Sequence, residues 1–314
     1  MSNIHEMIES MLEYKESLGY SRRSYEYFLL DAERFLISTN SDSEFLLIDT
    51  LQPWCVQRKT EKANSYRRRL TALREFTKYL FATGQCDAVL STDSFPILRS
   101  PDPPYLFTDD ELCKIFQVCD QIQGVSKNPL ASAIIATIYR MIFFCGLRPS
   151  EGREMYRADV DVGTKVILVR KNKTHKERRI PISEVLAHRL AEYIDKRDLI
   201  AGSSPYLFPS RGGIPYSPKW LSRNFNSVWR LACPEKKDLP VHVYNLRHRY
   251  ATTVMMQLID SGENLYSVLP YLSAYMGHSS FRETAYYIHL LPERLVKSAS
   301  IDWDSLSDLI PEVQ

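Results

Sequence analysis

What this sequence has little of narrows it first. Only 11 of its 314 residues are glycine, about half the ordinary share of ~7%, which disfavours collagenous and turn-dense all-β designs. Net charge is nearly absent, since 40 Lys+Arg against 38 Asp+Glu leaves +2. An anion-binding surface must therefore come from local clustering and not from the total field. The six cysteines, Cys55, Cys86, Cys113, Cys119, Cys145 and Cys233, form no C-x-x-C pair and no Cys/His set at zinc spacing. The chain also lacks a phosphate-binding glycine loop and a carboxylate cluster suited to Mg²⁺. Neither cofactor nor metal is expected. Long apolar runs are missing too. The most apolar stretch, Ala131 to Leu147, is interrupted by Arg140 and is too short to span a bilayer. The N-terminus is acidic and not a signal peptide, so a reducing, cytoplasmic setting without a membrane is expected. Several cysteines sit among apolar residues, as buried free thiols do.

What is present is a globular composition, 44% hydrophobic, in a chain long enough to bury a core without staples. Its length suits about two domains. The first hundred residues read as helices. Tyr25, Phe28, Leu29, Ala32, Phe35 and Leu36 form one i, i+3, i+4, i+7 stripe. Ile8, Met11 and Leu12 begin another, and a third helix is predicted from about Ala63 to Ala82, stopping at Gly84. Between Arg58 and Lys78 the basic residues Arg58, Lys59, Lys62, Arg67, Arg68, Arg69, Arg74 and Lys78 face only Glu61 and Glu75. That is either a solvated helix face or a local basic patch. A proline-containing linker, residues 91–105, separates this helical segment (1–90) from the remainder (106–314).

The second segment opens on a capping box, Thr108-Asp109-Asp110-Glu111. A helix is expected from Ala131 to Cys145, then two short strands, Val166–Val169 and Arg179–Ile182, joined by a basic connection. Later stretches near 184–200, 218–231, 246–258 and 265–276 look helical. The fold class is mainly α with a small antiparallel β element.

Four local signals carry candidate chemistry. Gly146-Leu147-Arg148-Pro149-Ser150-Glu151 joins two helical stretches and holds Arg148 at a junction. The run Lys171-Asn172-Lys173-Thr174-His175-Lys176-Glu177-Arg178-Arg179 lies between the strands and suits phosphate contacts. Tyr244-Asn245-Leu246-Arg247-His248 opens a helix, with His242 just before it. Met276-Gly277-His278 ends another, and Tyr286-Tyr287 follow. Singly, none of these is specific.

Together, in this order, they resemble the tyrosine recombinase family of phage integrases and Xer-type resolvases. The resemblance rests on Gly146-Leu147-Arg148 followed by Glu151, on Lys173 eight residues before Pro181, on Leu246-Arg247-His248, and on Gly277-His278 with Tyr287 nine residues beyond the histidine. It implies a helical core-binding domain followed by a mixed α/β catalytic domain with a C-terminal tail helix. It also implies site-specific cleavage and rejoining of double-stranded DNA through a covalent 3′-phosphotyrosine, by a homotetramer on paired sites, with accessory DNA-binding proteins as further partners. Catalytic roles then fall on Arg148, Lys173, Tyr244, Arg247, His278 and Tyr287, supporting roles on Glu151 and His248, and DNA contacts on Arg67, Arg68, Lys171 and Lys176. The basic helix and the catalytic domain would close on the duplex as a clamp. Two guanidiniums suit the nonbridging phosphate oxygens, because each presents a planar fork of donors. A phenol of pKa ~10 suits a nucleophile that the site activates. Lys173 matches the family's general acid, with Lys171 and Lys176 as neighbouring rivals, and Tyr286 competes with Tyr287. The sequence departs from the family where a histidine is usual three residues before the second arginine. Tyr244 stands there, and either it or His242 would fill the role. A type IB topoisomerase-like activity and a non-catalytic DNA-binding regulator are the alternative functions.

Overall fold

The computed structural model describes residues 3–91, 95, 103–124, 127–170 and 177–290. The chain divides into two compact units, Met1–Pro101 and Asp102–Gln314.

The first unit is helical. Helices α1 (Asn3–Ser17), α2 (Glu26–Ser38) and α3 (Ala63–Ala82) enclose one core containing Ile8, Met11, Leu29, Leu36, Leu73 and Phe76. The stripes read from the sequence are the faces that turn inward, as burial of a ~100°-wide apolar face requires. The basic run is not one surface. Arg69 is 1% exposed; its fork holds both Glu61 oxygens at 2.8 Å and it caps the Trp54 and Val56 carbonyls. Arg58 pairs with Asp31. Arg67 and Arg68 are exposed, and Arg68 lies 5.8 Å from the Phe28 ring centroid.

The second unit begins at the Thr108 capping box, in which Glu111 N–H donates to Thr108 Oγ1 at 3.2 Å and Thr108 N–H to Glu111 Oε2 at 2.8 Å. It comprises α4 (Asp109–Gln121), α5 (Ala131–Phe144), α6 (Pro149–Arg153), β1 (Val160–Asp161), β2 (Val166–Val169), β3 (Arg178–Pro181), α7 (Glu184–Ala201), α8 (Pro218–Ala232), α9 (Tyr244–Asp260), α10 (Leu265–Met276) and α11 (Phe281–Ala285), then a 3₁₀ turn, Tyr286–Leu290. Helix α5 is apolar nearly all round because it is the centre of the core. Its one interruption, Arg140, is neutralised by Asp120 at 2.7 and 2.8 Å. Among the described residues, no helix is long and apolar enough to cross a membrane.

The sheet is antiparallel in the order β1-β2-β3, with Val160 opposite Ile167, Ile167 opposite Ile180, and Val169 opposite Arg178. Two strands were expected; β1 is a third, too short at two residues to show an alternation. All six cysteines are free thiols, and only Cys113 is exposed.

Two helix ends set the site. Helix α5 closes with Gly146 at φ +58°, Gly146 N–H donating to Phe143 O and Leu147 N–H to Ile142 O. Helix α10 closes identically, with Gly277 at φ +65°, Gly277 N–H on Ala274 O and His278 N–H on Ser273 O. This paired pattern is the left-handed glycine cap that turns a chain sharply out of a helix. It delivers Arg148 two residues beyond one cap and His278 one residue beyond the other.

Candidate active site

Arg247 ties the two caps together. It lies on the first turn and a half of α9 and is fully buried. One Nη donates to the Gly146 carbonyl and the other to the Met276 carbonyl, each at 2.7 Å. Helix C-termini present unpaired carbonyls and a partial negative charge, so a cation between two of them is well placed. Arg247 Nε is buried without a hydrogen-bond partner.

Arg148 stands at the start of α6. Its Nη2 donates to the Gly277 carbonyl at 2.5 Å and its Nη1 to Glu151 Oε1 at 3.0 Å. Glu151 closes the turn by accepting the Arg148 backbone N–H at 2.8 Å. The same carboxylate receives a second fork from Arg178, at 3.0 Å on Oε1 and 2.7 Å on Oε2, and stands 3.9 Å from Arg247. Burial alone would raise the Glu151 pKa. The hydrogen bonds and charge of Arg178, with help from Arg148 and Arg247, outweigh it and bring the value down to about 2. The carboxylate is therefore an anion that arranges cations, not an acid.

His278 and Tyr287 complete the cluster. His278 is buried, and its Nδ1 contacts Thr284 Oγ1 at 2.7 Å. Its ring is 6.0 Å from that of Tyr287 and nearly parallel to it, at 16°. Burial, then the charges of Arg247, Arg148 and Arg178, push the His278 pKa down to about 3. Tyr287 is 2% exposed. Burial raises its hydroxyl to about 12, although the Arg247 guanidinium nearby pulls the other way. His248 packs its ring 5.5 Å from Tyr287 and 4.9 Å from Tyr244, and burial with the Arg247 charge lowers it to about 4. Tyr244 is exposed, with the Arg247 guanidinium 5.9 Å from its ring centroid. Tyr286 is only part-buried, 6.1 Å from Tyr287.

Arg148, Glu151, Arg247, His278, Tyr287, His248 and Tyr244, separated by up to 139 positions, thus come together. His242 is exposed, and its backbone N–H donates to Asn245 Oδ1 at 2.6 Å. Lys171, Lys173 and Lys176 lie outside the described residues, as does the tail from residue 291. Arg67 and Arg68 belong to the first unit. Two site residues have no distinguishing mark in the sequence. Arg178 reads as one of several bases in its run; the alternation that half-buries Arg178 and buries Ile180 while exposing Arg179 and Pro181 was the available signal. Thr284, which holds His278, gives no signal at all.

A mainly helical unit with a three-stranded antiparallel sheet, gathering two arginines, a histidine and a tyrosine at two helix caps, has the fold of tyrosine recombinase catalytic domains. Among solved structures it is similar to the XerH site-specific recombinase bound to palindromic difH substrate in a post-cleavage complex, with a TM-score of 0.66 and 18% identity, covering 90% of this chain and 80% of that one. The phage integrase family profile matches residues 106–294. The Sinorhizobium fredii (strain NBRC 101917 / NGR234) protein y4rE, which bears an integrase/recombinase name, is 31% identical over 288 residues, 90% of either chain. The tyrosine recombinase XerD of Rhizobium meliloti (strain 1021) is 27% identical over 300 residues, 93% of this chain and 92% of that protein. The chain belongs to the phage integrase family, the tyrosine-type DNA recombinases.

Proposed function

We propose that this recombinase cuts one DNA strand by attack of the Tyr287 hydroxyl on phosphorus, leaving a 3′-phosphotyrosine and a free 5′ hydroxyl, and then reverses the step with a 5′ hydroxyl from a partner duplex. The carrying observation is the convergence of the Arg148 and Arg247 guanidiniums with His278 and Tyr287 at the two glycine caps. Two fixed cations suit a phosphorus centre that gains negative charge as it becomes five-coordinate. In the new bond the Tyr287 oxygen replaces the departing 5′ oxygen, and the phosphoryl charge is unchanged. The bond energy is kept in the ester, so rejoining requires no external energy source.

In the protein alone, Tyr287 is buried and protonated at neutral pH. The arriving phosphate therefore has to meet a hydroxyl that DNA binding uncovers. His278 is neutral in the same state. Held through Nδ1 by Thr284, it is suited to orient a nonbridging oxygen through Nε2. The proton that the 5′ oxygen needs is assigned to Lys173, with Lys171 and Lys176 as phosphate contacts. Tyr244 takes the usual histidine's place as a hydroxyl donor beside Arg247, and His248 supports the Tyr287 ring. Arg67 and Arg68 contact the DNA backbone from the helical core-binding segment (1–90), which the linker 91–105 joins to the catalytic segment (106–314). Exchanging both strands of two duplexes takes four cuts and four tyrosines, so the working form is a homotetramer on paired sites, acting in the cytoplasm, with accessory DNA-binding proteins as further partners.

A nicked duplex that releases its short 5′ fragment tests the reading, because the released end cannot religate. The wild-type protein is expected to accumulate a covalent protein–DNA adduct, and peptide mapping is expected to find the label on Tyr287. No adduct with any bound duplex would leave a DNA-binding regulator; label on Tyr286 would reassign the nucleophile.

A further inference from the structure

We propose that Arg178 is a positioning residue for strand cleavage: forked on Glu151 and packed beneath the Gly277 turn, it keeps the Glu151 carboxylate from closing on Arg148, so that Arg148 stays available to the scissile phosphate. The inference rests on the recombinase reading above and adds a residue to it.

Arg178 is fixed at its root by the ladder that pairs it with Val169. It is the first residue of β3, directly after the connection that carries Lys173. Its side chain is nearly buried and takes both oxygens of Glu151. The Arg148 side chain reaches only Oε1, through a single Nη, its other Nη being on the Gly277 carbonyl, while its backbone N–H donates to Oε2. Three guanidiniums around one carboxylate leave the cluster at +2. Without Arg178, both carboxylate oxygens would lose a guanidinium bond, and the Arg148 Nη now on the Gly277 carbonyl could turn to Glu151. A bidentate Arg–carboxylate pair is the strong form of this contact; it would turn the fork away from DNA, and the cluster would fall to +1.

The packing agrees with that arrangement. A Cβ on Gly277 would lie 2.7 Å from Arg178 Nη1, 3.1 Å from its Cζ and 3.3 Å from Arg148 Nη1. Both guanidiniums are therefore seated under the turn that leads to His278. Stability alone does not require this. Buried ion clusters are commonly matched or bettered by apolar residues of similar volume, and Arg178 Nε remains buried without a partner. A cluster that is costly to bury and aimed at the site is expected where charge placement matters.

The test is the single-turnover rate of adduct formation on the nicked duplex at saturating protein, alongside the Kd for uncut duplex. Arg178→Gln is expected to lower the rate on the order of 10–100-fold, the range for losing a group that orients the residues around a site, with Kd changed by less than about threefold. In a Glu151→Gln background the same change is expected to lower the rate by less than about threefold, because the group it restrains has lost its charge. Arg178→Lys keeps charge but loses the fork, and serves in both backgrounds if the glutamine variant does not fold. Equal losses of rate and affinity would make Arg178 a plain DNA contact. An undiminished loss in the Glu151→Gln background would show that it does not act through Glu151. Either result overturns the proposal. Wild-type adduct formation reports on the function itself, and the variant-to-wild-type ratio reports on Arg178.

Discussion

Gly277→Ala separates backbone strain from side-chain placement, because the protein contains its own control. Gly277 and Gly84 both close helices in the left-handed region, at φ +65° and +74°. Gly84 N–H bonds Phe81 O and Gln85 N–H bonds Leu80 O, the same cap as at Gly277. An L-residue there costs roughly 1–2 kcal/mol relative to glycine. That cost should be common to both sites. Around Gly84 a new Cβ meets nothing within 4 Å, whereas at Gly277 it meets Arg178 Nη1 at 2.7 Å and Arg148 Nη1 at 3.3 Å. Ordinary contact for such atoms is about 3.5 Å, so Arg178 must retreat by about 0.8 Å and Arg148 by a few tenths. The Arg178 tip cannot swing away cheaply, because Glu151 holds it with two bonds. A displacement near 1 Å at a positioned group costs on the order of a hundredfold in rate. Both variants should therefore unfold at reduced urea midpoints, Gly277→Ala the lower of the two because its clash adds to the shared backbone strain. Adduct formation on the nicked duplex should fall by roughly 30–100-fold in Gly277→Ala and stay within about twofold of wild type in Gly84→Ala. A Gly277→Ala protein that cleaves at the wild-type rate would refute the idea that the two guanidiniums are held in place under this turn.

The other expectations follow from the same contacts. Tyr287→Phe should bind duplex with unchanged affinity and form no adduct, whereas Tyr286→Phe should retain adduct formation; denaturing gels distinguish them. His278 and His248 are lowered to about 3 and about 4, so between pH 6.5 and 5 the unfolded chain binds protons at both sites and the folded chain does not. Stability contributed by the neutral rings is full above pH ~6.5 and is lost as pH falls, at up to about 1.4 kcal/mol per pH unit for each site. Urea midpoints that stay constant from pH 7 to pH 5 would contradict this. Arg69→Ala should cost about 3–5 kcal/mol, because it removes a fully buried guanidinium, its pair with Glu61 and its bonds to the Trp54 and Val56 carbonyls. Arg67→Ala, at an exposed position, should leave stability within ~0.5 kcal/mol but weaken DNA binding and reduce its salt slope by about one; thermal unfolding and a salt titration measure the pair.

By itself the sequence determined the helices whose apolar stripes are long and regular, such as α2 and α3. It also determined the Thr108 capping box, whose partners are three residues apart, and the two strands with β-branched runs. Periodicity reports burial along one element, and these elements are buried on one face. The order of Arg148, Arg247, His278 and Tyr287 along the chain marked a candidate site through its resemblance to the tyrosine recombinase family, no one of the four being specific by itself. The tertiary structure decided what those residues touch. It turned Arg69 from a surface base into a core ion pair, because Glu61 and Trp54 come from a different segment. It made Tyr244, at the start of α9, exposed and Tyr287, in the turn after α11, buried. It also singled out Arg178 from its basic neighbours. Hydrogen bonds and desolvation depend on distances across the fold, and chain spacing carries no information about those distances until the two helix caps have been brought together around Arg247.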